Sequence, residues 1–183
     1  MNTGFFARFP TLETPRLILR ELDPDDAEAV LELHADDEVN RYQGIDTMRS
    51  IEPARAKIAL ARKRFRLEAG VSWAITLRED GAFVGTCAYA HFLPAHDRGH
   101  ITYELMRRVW GRGLGTEAVR ALVAFGREQA GLNRIEAVVV PENEASAGVL
   151  RKTGFADEGL LRGYGRWRGR YRDLRMFANL REA

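Results

Sequence analysis

The sequence predicts a mixed α/β fold, with one central sheet and helices on both of its faces. Three observations support this prediction. Segments that alternate apolar and polar residues, as strands do, are interleaved with segments whose apolar residues recur at the helical period. Their order is one strand, two helices, three strands, a helix, a strand, a helix and two strands. Neither a linker nor a repeat interrupts the 183 residues, so we expect a single domain over residues 1–183.

The first half of the chain predicts four strands and two helices. Pro15–Leu22 alternates apolar and charged residues, which is typical of a half-buried strand. Asp23 before Pro24 predicts the start of the first helix, because aspartate caps helices and proline fits their first position. Asp80 and Gly81 form a favoured hairpin turn between two apolar segments. The predicted elements are a strand at 15–22, helices at 23–36 and 51–70, and strands at 71–80, 81–92 and 100–106.

The second half predicts two helices and three strands. A long pattern with apolar residues on one helical face follows three glycines and runs to about Gln129, where Gly131 is typical of a helix end. The buried strand after it stops at Pro141. The remaining predicted elements are a strand at 134–140, a helix at 144–154, and strands at 158–164 and 173–180.

Composition excludes several classes of protein. A net charge of +2, with 30% charged residues, does not indicate a general nucleic-acid binder. Cys87 is the only cysteine and lies in an apolar segment, so we interpret it as a core residue rather than a nucleophile. The first ten residues lack the features of a signal peptide, and no apolar run approaches the roughly 20 residues of a membrane span. We therefore expect a cytoplasmic protein that binds neither membranes nor nucleic acid.

Three alternating glycines, Gly111, Gly113 and Gly115, lie directly before a long helical pattern. A helix N-terminus presents unpaired N–H groups, and glycines let an anion approach them without meeting a Cβ atom. The segment is therefore a candidate pyrophosphate site, with a simple flexible turn as the alternative. It is not a dinucleotide fingerprint, because Thr116 stands where the third glycine would be, and it has no lysine to make it a P-loop.

Four stretches, in order along the chain, resemble the GNAT superfamily of N-acetyltransferases. WGRGLGTEA, after the strand ITYEL, is similar to the acetyl-CoA loop of that superfamily. Trp110 at its start resembles the branch that contains the ribosomal-protein alanine N-acetyltransferases, as do TPRLILREL, PENEASAGVLRKTGF and GRYRD. The resemblance extends from Thr14 to Leu180. It implies a mostly antiparallel sheet of about seven strands, splayed beside the fourth strand at 100–106, with about four helices on both faces.

The resemblance implies acetyl-CoA as the cosubstrate and suggests what would bind it. The pantetheine arm would pair with the backbone of Tyr103, Glu104 and Leu105, as an added strand does. Asn143 would contact the same arm and Ser146 the cofactor sulfur, although both residue types are also common helix caps. Arg112 would add a charge contact. The pyrophosphate would lie on the N–H groups of Gly111, Arg112, Gly113, Leu114, Gly115 and Thr116.

Acetyl transfer to an amine needs a base for the amine and a hydrogen-bond donor for the leaving thiolate. Glu104 and His100 share one strand parity, and either is a candidate base, directly or through water. Many members of the superfamily use a tyrosine acid where this chain has Leu150, so Ser146 or a water must replace it. His91, His96 and His100 suggest a metal site as an alternative. Since no carboxylate or cysteine pattern accompanies these histidines, we expect no metal.

The acceptor pocket is expected from the irregular segment 36–50, between the first two helices. The sequence holds no substrate code, so the acceptor is either a protein N-terminal amine or a small-molecule amine. The resemblance also allows a homodimer.

Two other functions stay open. One is an acyl-CoA-binding or sensing domain without catalysis. The other is an RNA-binding module that uses the basic, aromatic segment Arg162–Asp173, against which the low net charge argues.

Overall fold

The predicted mixed sheet is confirmed by a computed structural model, which describes residues 1–167 and 169–181. These residues form eight strands and five α-helices. The strands are β1 Leu12–Glu13, β2 Leu17–Glu21, β3 Val71–Leu77, β4 Phe83–Leu93, β5 Arg98–Leu105, β6 Arg134–Val139, β7 Ala156–Trp167 and β8 Arg170–Leu180. The helices are α1 Ala27–Ala35, α2 Asp37–Asn40, α3 Ile51–Arg66, α4 Leu114–Glu128 and α5 Glu144–Lys152.

The sheet is splayed where the resemblance implies it, beside the strand expected at 100–106, which is β5. The strand order is β1-β2-β3-β4-β5-β6-β8-β7, and every neighbouring pair is antiparallel except β5 with β6. That parallel pairing covers only Arg98–His100 against Arg134–Glu136. Beyond His100, β5 continues to Leu105 paired with β4 alone, so one of its edges opens into a split.

Two elements were missed because they are too short to show a period. The two-residue strand β1 raises the strand count from the expected seven to eight, and the four-residue helix α2 raises the helix count from four to five. The predicted cap at Asp23 is confirmed, since its side chain accepts a hydrogen bond from the N–H of Asp25. It caps a 3-10 turn, Pro24–Asp26, and α1 begins only at Ala27. The β7–β8 turn includes Arg168, which lies outside the described residues.

The core lies between the sheet and the helices, and it fixes α4 next to the split. The largest fully buried side chains include Trp73, Tyr89 and Phe125. The hydroxyl of Tyr89 donates a 2.8 Å hydrogen bond to the carbonyl oxygen of Leu122 in α4. Cys87 is buried in this core, as expected, and burial raises the pKa of its thiol. None of the described helices combines the length and apolar character that a membrane crossing would require.

Candidate active site

The turn before α4 needs glycine for its backbone conformation. Gly111 and Gly113 have φ angles of 74° and 77°, in the left-handed region that side chains disfavour. Gly113 is the N-cap of α4, and no side chain caps the helix there. A Cβ atom at Gly113 would meet only Arg16 Nη2, at 3.6 Å, and one at Gly111 would meet nothing. The N-terminus of α4 is thus left accessible, which fits the pyrophosphate predicted there.

Gly115 serves a different purpose from the other two glycines. Its φ angle is not left-handed, and it is buried in the first turn of α4. A Cβ atom at Gly115 would lie 3.3 Å from Leu105 Cδ1 and 3.7 Å from Val149 Cγ2. Gly115 therefore lets α4 pack closely against the end of β5 and against α5, on either side of the split.

Glu117 ties the first turn of α4 to the segment before β2. Its carboxylate accepts hydrogen bonds from Thr14 Oγ1 at 2.6 Å, from the Arg16 N–H at 2.8 Å and from Arg16 Nε at 2.6 Å. Arg16 Nη1 also donates to the carbonyl oxygen of Arg112 at 3.0 Å. Burial raises the pKa of Glu117, but these hydrogen bonds outweigh it and the net pKa is lowered. Sequence reasoning missed this brace, because Thr14 and Arg16 are distant from the glycines in the chain.

Strand alternation assigns different backbone groups of β5 to its two edges. The Met106 N–H donates to Val84 O at 2.8 Å, and Glu104 stands opposite Thr86 in the same register. The backbone of Glu104 therefore faces β4, and that of Tyr103 and Leu105 faces the split. Trp110 Nε1 donates to Leu105 O at 2.7 Å from that side. Three residues were expected to contact the pantetheine arm through their backbone. The geometry leaves both backbone groups of Tyr103 and the N–H of Leu105 facing the split, whereas Trp110 occupies the Leu105 carbonyl and the Glu104 backbone faces β4.

The side chain of Tyr103 meets Ser146 on the α5 side of the sheet. Tyr103 Oη lies 2.7 Å from Ser146 Oγ and 3.2 Å from Ser146 O. Burial raises the pKa of Tyr103 to about 12, so its hydroxyl keeps its proton and can donate. Asn143 Oδ1 accepts from the Ser146 N–H at 3.1 Å, which confirms helix capping as a role of Asn143. Leu150, where many members of the superfamily carry a tyrosine, is buried, and the phenol that lies next to Ser146 is that of Tyr103.

The side chain of Glu104 lies on the opposite face of β5, toward α1 and α3. Its Oε2 atom is 3.2 Å from Thr86 Oγ1, 3.4 Å from Lys57 Nζ and 3.2 Å from His34 Nε2. The Glu104 side chain is 12% exposed. Lys57 also lines a cavity of about 470 Å³, together with Pro53 and residues 45–50. Residues 45–50 belong to the segment 36–50 that was expected to form the acceptor pocket. Lys57 thus lies between that cavity and Glu104.

His100 lies apart from this group. Four residues along a strand separate it from Glu104 by about 13 Å. Its ring stacks on that of His91, with centroids 5.0 Å apart and planes at 7°. Burial, with His91 as the next contributor, lowers the pKa of His100 to about 4, so it is a weak base at neutral pH. Within residues 1–167 and 169–181, no three His, Cys, Asp or Glu side chains are arranged to hold a metal ion.

The hairpin of β7 and β8, which carries the basic segment Arg162–Asp173, contacts the loop that follows α2. A Cβ atom at Gly44 would lie 2.2 Å from the ring of Trp167, so the indole packs directly on the backbone of this loop. Gly44 also has a φ angle of 68°, which a side chain would disfavour. Arg172 lies 5.9 Å from the centre of the Trp167 ring and pairs with Glu142 at 3.1 Å. Trp167 is therefore a packing residue that contacts the segment 36–50 at Gly44.

Comparisons with known proteins agree with this arrangement. The chain is 40% identical over 156 residues to the uncharacterized N-acetyltransferase YoaA of Bacillus subtilis, a match that covers 85% of this chain and 88% of YoaA. Its fold is similar to that of Mycobacterium smegmatis RimJ in complex with CoA-disulfide, with a TM-score of 0.83 and 26% identity over 93% of this chain and 86% of that one. It is also similar to RimL, a ribosomal L7/L12 α-N-protein acetyltransferase solved with coenzyme A. That match has a TM-score of 0.82 and 20% identity, and it covers 93% of this chain and 98% of RimL.

The family model for the acetyltransferase (GNAT) domain matches residues 16–156, which include β5, the glycine turn and α5. The split sheet, the uncapped N-terminus of α4 and this match all lead to one assignment. The chain belongs to the GNAT family and is an acetyl-CoA-dependent acetyltransferase.

Proposed function

We propose that this enzyme transfers the acetyl group of acetyl-CoA to the α-amino group of a protein or peptide, by direct attack of the amine on the thioester. The observation that carries the proposal is the position of two neighbouring residues of β5. Tyr103 with Ser146 lies on one face of the strand, and Glu104 lies on the other. A thioester held in the split would thus have a proton donor on one side and a carboxylate base on the other.

The cofactor site is proposed along the split and the turn that follows it. The backbone N–H and carbonyl of Tyr103, which face the split, would pair with the pantetheine arm. The first N–H groups of α4 would bind the pyrophosphate, and the side chain of Arg112 would add a positive charge. Asn143 keeps its amide nitrogen available for the pantetheine arm, because its capping bond uses Oδ1 only. The N–H of Leu105 would donate to the thioester oxygen as negative charge develops there.

Glu104 is the proposed base and the Tyr103–Ser146 pair the proposed acid. The carboxylate would remove the proton of the attacking amine, directly or through one water. Ser146 would donate to the leaving thiolate, with Tyr103 donating to Ser146 in turn and replacing the acid absent at Leu150. His100 is a less suitable base, because it lies where β5 is still paired with β6, about 13 Å along the strand from Glu104, and its ring stacks on His91.

The acceptor is proposed to enter through the cavity lined by residues 45–50, Pro53 and Lys57. An α-amine suits a site whose candidate base is a single carboxylate, because an α-amine is partly neutral at physiological pH. RimL, a fold relative, acts on the α-amine of a ribosomal protein, so ribosomal-protein N-termini are a reasonable first group of acceptors to test. The proposal further places the enzyme in the cytoplasm, as one domain over residues 1–183; a homodimer stays a prediction.

The proposal is tested by measuring release of coenzyme A thiol with a panel of amines. The panel contains peptides with free N-termini, N-blocked peptides carrying lysine, polyamines, aminoglycosides and amino acids, and each is also tested with Glu104→Gln. We expect turnover of free-N-terminus peptides by the wild type and a loss of about 100-fold or more in kcat with Glu104→Gln. A preference for another amine class would contradict the acceptor, and full activity of Glu104→Gln would contradict the base.

A further inference from the structure

Asn40 determines which nitrogen of the buried His34 carries hydrogen. The amide nitrogen of Asn40 donates to the backbone oxygen of His34 at 2.6 Å. Its Oδ1 is therefore the atom that faces the ring, and it lies 3.3 Å from Nδ1. An amide oxygen can only accept, so Nδ1 carries the hydrogen and Nε2 of the neutral ring has a lone pair.

That lone pair has no hydrogen-bond partner. His34 is fully buried, and among the described residues its Nε2 is one of two fully buried side-chain nitrogen or oxygen atoms without a hydrogen bond. Glu104 Oε2 lies 3.2 Å away, within ion-pair distance, but the two are not aligned as donor and acceptor. A buried acceptor left in this state is costly, and a hydrogen placed on Oε2 would satisfy it.

The charges around the pair keep the ring ready to accept such a hydrogen. Glu104 faces His34 from β5, Lys57 faces the same carboxylate from α3, and Thr86 bonds it from β4. Burial lowers the pKa of His34, and the opposing influence of Glu104 does not overcome this. The imidazole is thus neutral at neutral pH, with Nε2 unprotonated next to the carboxylate.

We propose that His34 is a positioning residue whose Nε2 accepts a hydrogen bond from the proton that Glu104 removes from the acceptor amine, so that the two side chains act as one base. This inference rests on the proposed role of Glu104. Lys57, which lines the proposed acceptor cavity, contacts Oε2, so this oxygen lies on the side from which the amine would arrive. The N–H bond of the amine breaks and an O–H bond forms at Oε2. That O–H then donates to the lone pair of His34 Nε2, and a side-chain rotation that aligns the two groups accompanies the transfer.

The test is a double-mutant cycle with His34→Gln and Glu104→Gln, measured as kcat and KM against pH with a free-N-terminus peptide. His34→Gln should lower kcat by about 10-fold or more near neutral pH. The loss should shrink as the pH rises past the pKa of the acceptor, and the KM for acetyl-CoA should stay the same. In the Glu104→Gln background, His34→Gln should cost almost nothing more, because its effect acts through that carboxylate.

Two controls separate this role from a structural one. His91→Gln removes a solvent-exposed histidine whose ring stacks on His100, and it should leave the pH profile unchanged. In the wild type, ¹⁵N NMR of labelled histidine should show His34 with hydrogen on Nδ1 and a bare Nε2 whose shift changes in Glu104→Gln. Hydrogen on Nε2, or a His34→Gln loss that is equal at every pH and additive with Glu104→Gln, would overturn the inference. Full activity of Glu104→Gln would instead overturn the base assignment on which the inference rests.

Discussion

Trp110 Nε1 donates a hydrogen bond to the carbonyl oxygen of Leu105 over 2.7 Å, joining the end of β5 to the turn before α4. Trp110 is 47% exposed, so its ring contributes little to the core. The bond lies on the edge of β5 that faces the split, next to the N–H of Leu105 that we assign to the thioester oxygen. Its role is therefore to hold two parts of the cofactor site in register.

Trp110→Phe should weaken catalysis more than stability. The substitution removes the donor and keeps an aromatic ring, and a typical hydrogen bond contributes about 1 kcal/mol. We expect kcat/KM for acetyl-CoA to fall about 5-fold, with little change in the thermal midpoint. Steady-state kinetics and a thermal melt measure both quantities, and an unchanged kcat/KM would show that the bond does not position the site.

Gly113 has a close structural match in Gly81, which makes a controlled test of the glycine turn feasible. Their φ angles are 77° and 74°, and a Cβ atom at either position has no contact closer than 3.6 Å. Valine in this backbone region costs about 1–3 kcal/mol at either place. Gly113→Val should nevertheless lose the thermal stabilisation by coenzyme A, and Gly81→Val, in the β3–β4 hairpin, should keep it. Equal stabilisation of the two variants would mean that the turn does not bind the phosphates.

Side-chain period and turn chemistry were enough to predict most of the fold, as β4, β5 and α4 illustrate. The split was predicted from the resemblance, and its position beside the strand expected at 100–106 is confirmed by the pairing of β5 with β6, which ends at His100. The misses have physical reasons. β1 and α2 have two and four residues, about one period each, so no pattern can repeat within them. Gly115 is required by helix packing, which no local pattern reports.

The contacts within the site were less predictable than its location. Tyr103 was identified for its backbone, and its hydroxyl bond to Ser146 joins residues that are 43 positions apart. His34 gave no signal, because a lone histidine in a helix is commonly a buried structural residue. His100, by contrast, was predicted as a candidate base from its strand parity, and the structure makes it less suitable. Its burial and its stacking on His91 could not be predicted from the sequence.

Tyr103→Phe and Ser146→Ala should have similar effects on turnover, since both remove a member of one hydrogen-bonded pair. Donation to the thiolate strengthens as the C–S bond breaks, so the loss should appear in kcat rather than in coenzyme A binding. We expect each variant to lower kcat by about 10-fold or more and the double variant to lose little beyond the worse single one. Purely multiplicative losses would show that the two hydroxyls act separately, and full kcat in Ser146→Ala would leave that residue only its helix position.

Glu117→Gln should change how stability depends on pH. The pKa of Glu117 is lowered in the folded protein, so its ionised carboxylate contributes stability above the unfolded value of about 4.3. That contribution is lost as the pH falls through the folded pKa. The wild type should therefore be the more stable protein near neutral pH, and the difference should shrink as the pH falls below the unfolded value of about 4.3. Thermal melts across this range measure it; a constant difference would contradict the carboxylate's role in bracing α4.

The last prediction concerns the acceptor. An α-amino group titrates near 7.7–8.0 and a lysine side chain near about 10.4, so at neutral pH the lysine costs about 3 kcal/mol more to neutralise. The enzyme's candidate base is one carboxylate with a neutral imidazole behind it, and Lys57 adds a positive charge 3.4 Å from that carboxylate. This arrangement removes a proton from a weakly basic amine more readily than from a lysine. For a free-N-terminus peptide, kcat/KM should rise with pH along a limb set by the acceptor and level off near its pKa. The same peptide, N-blocked and carrying a lysine, should react more slowly near neutral pH and still be gaining rate at about pH 9. Equal or faster acetylation of the lysine peptide at neutral pH would contradict the α-amine preference and would point to an acceptor whose amine is deprotonated by a stronger base than Glu104.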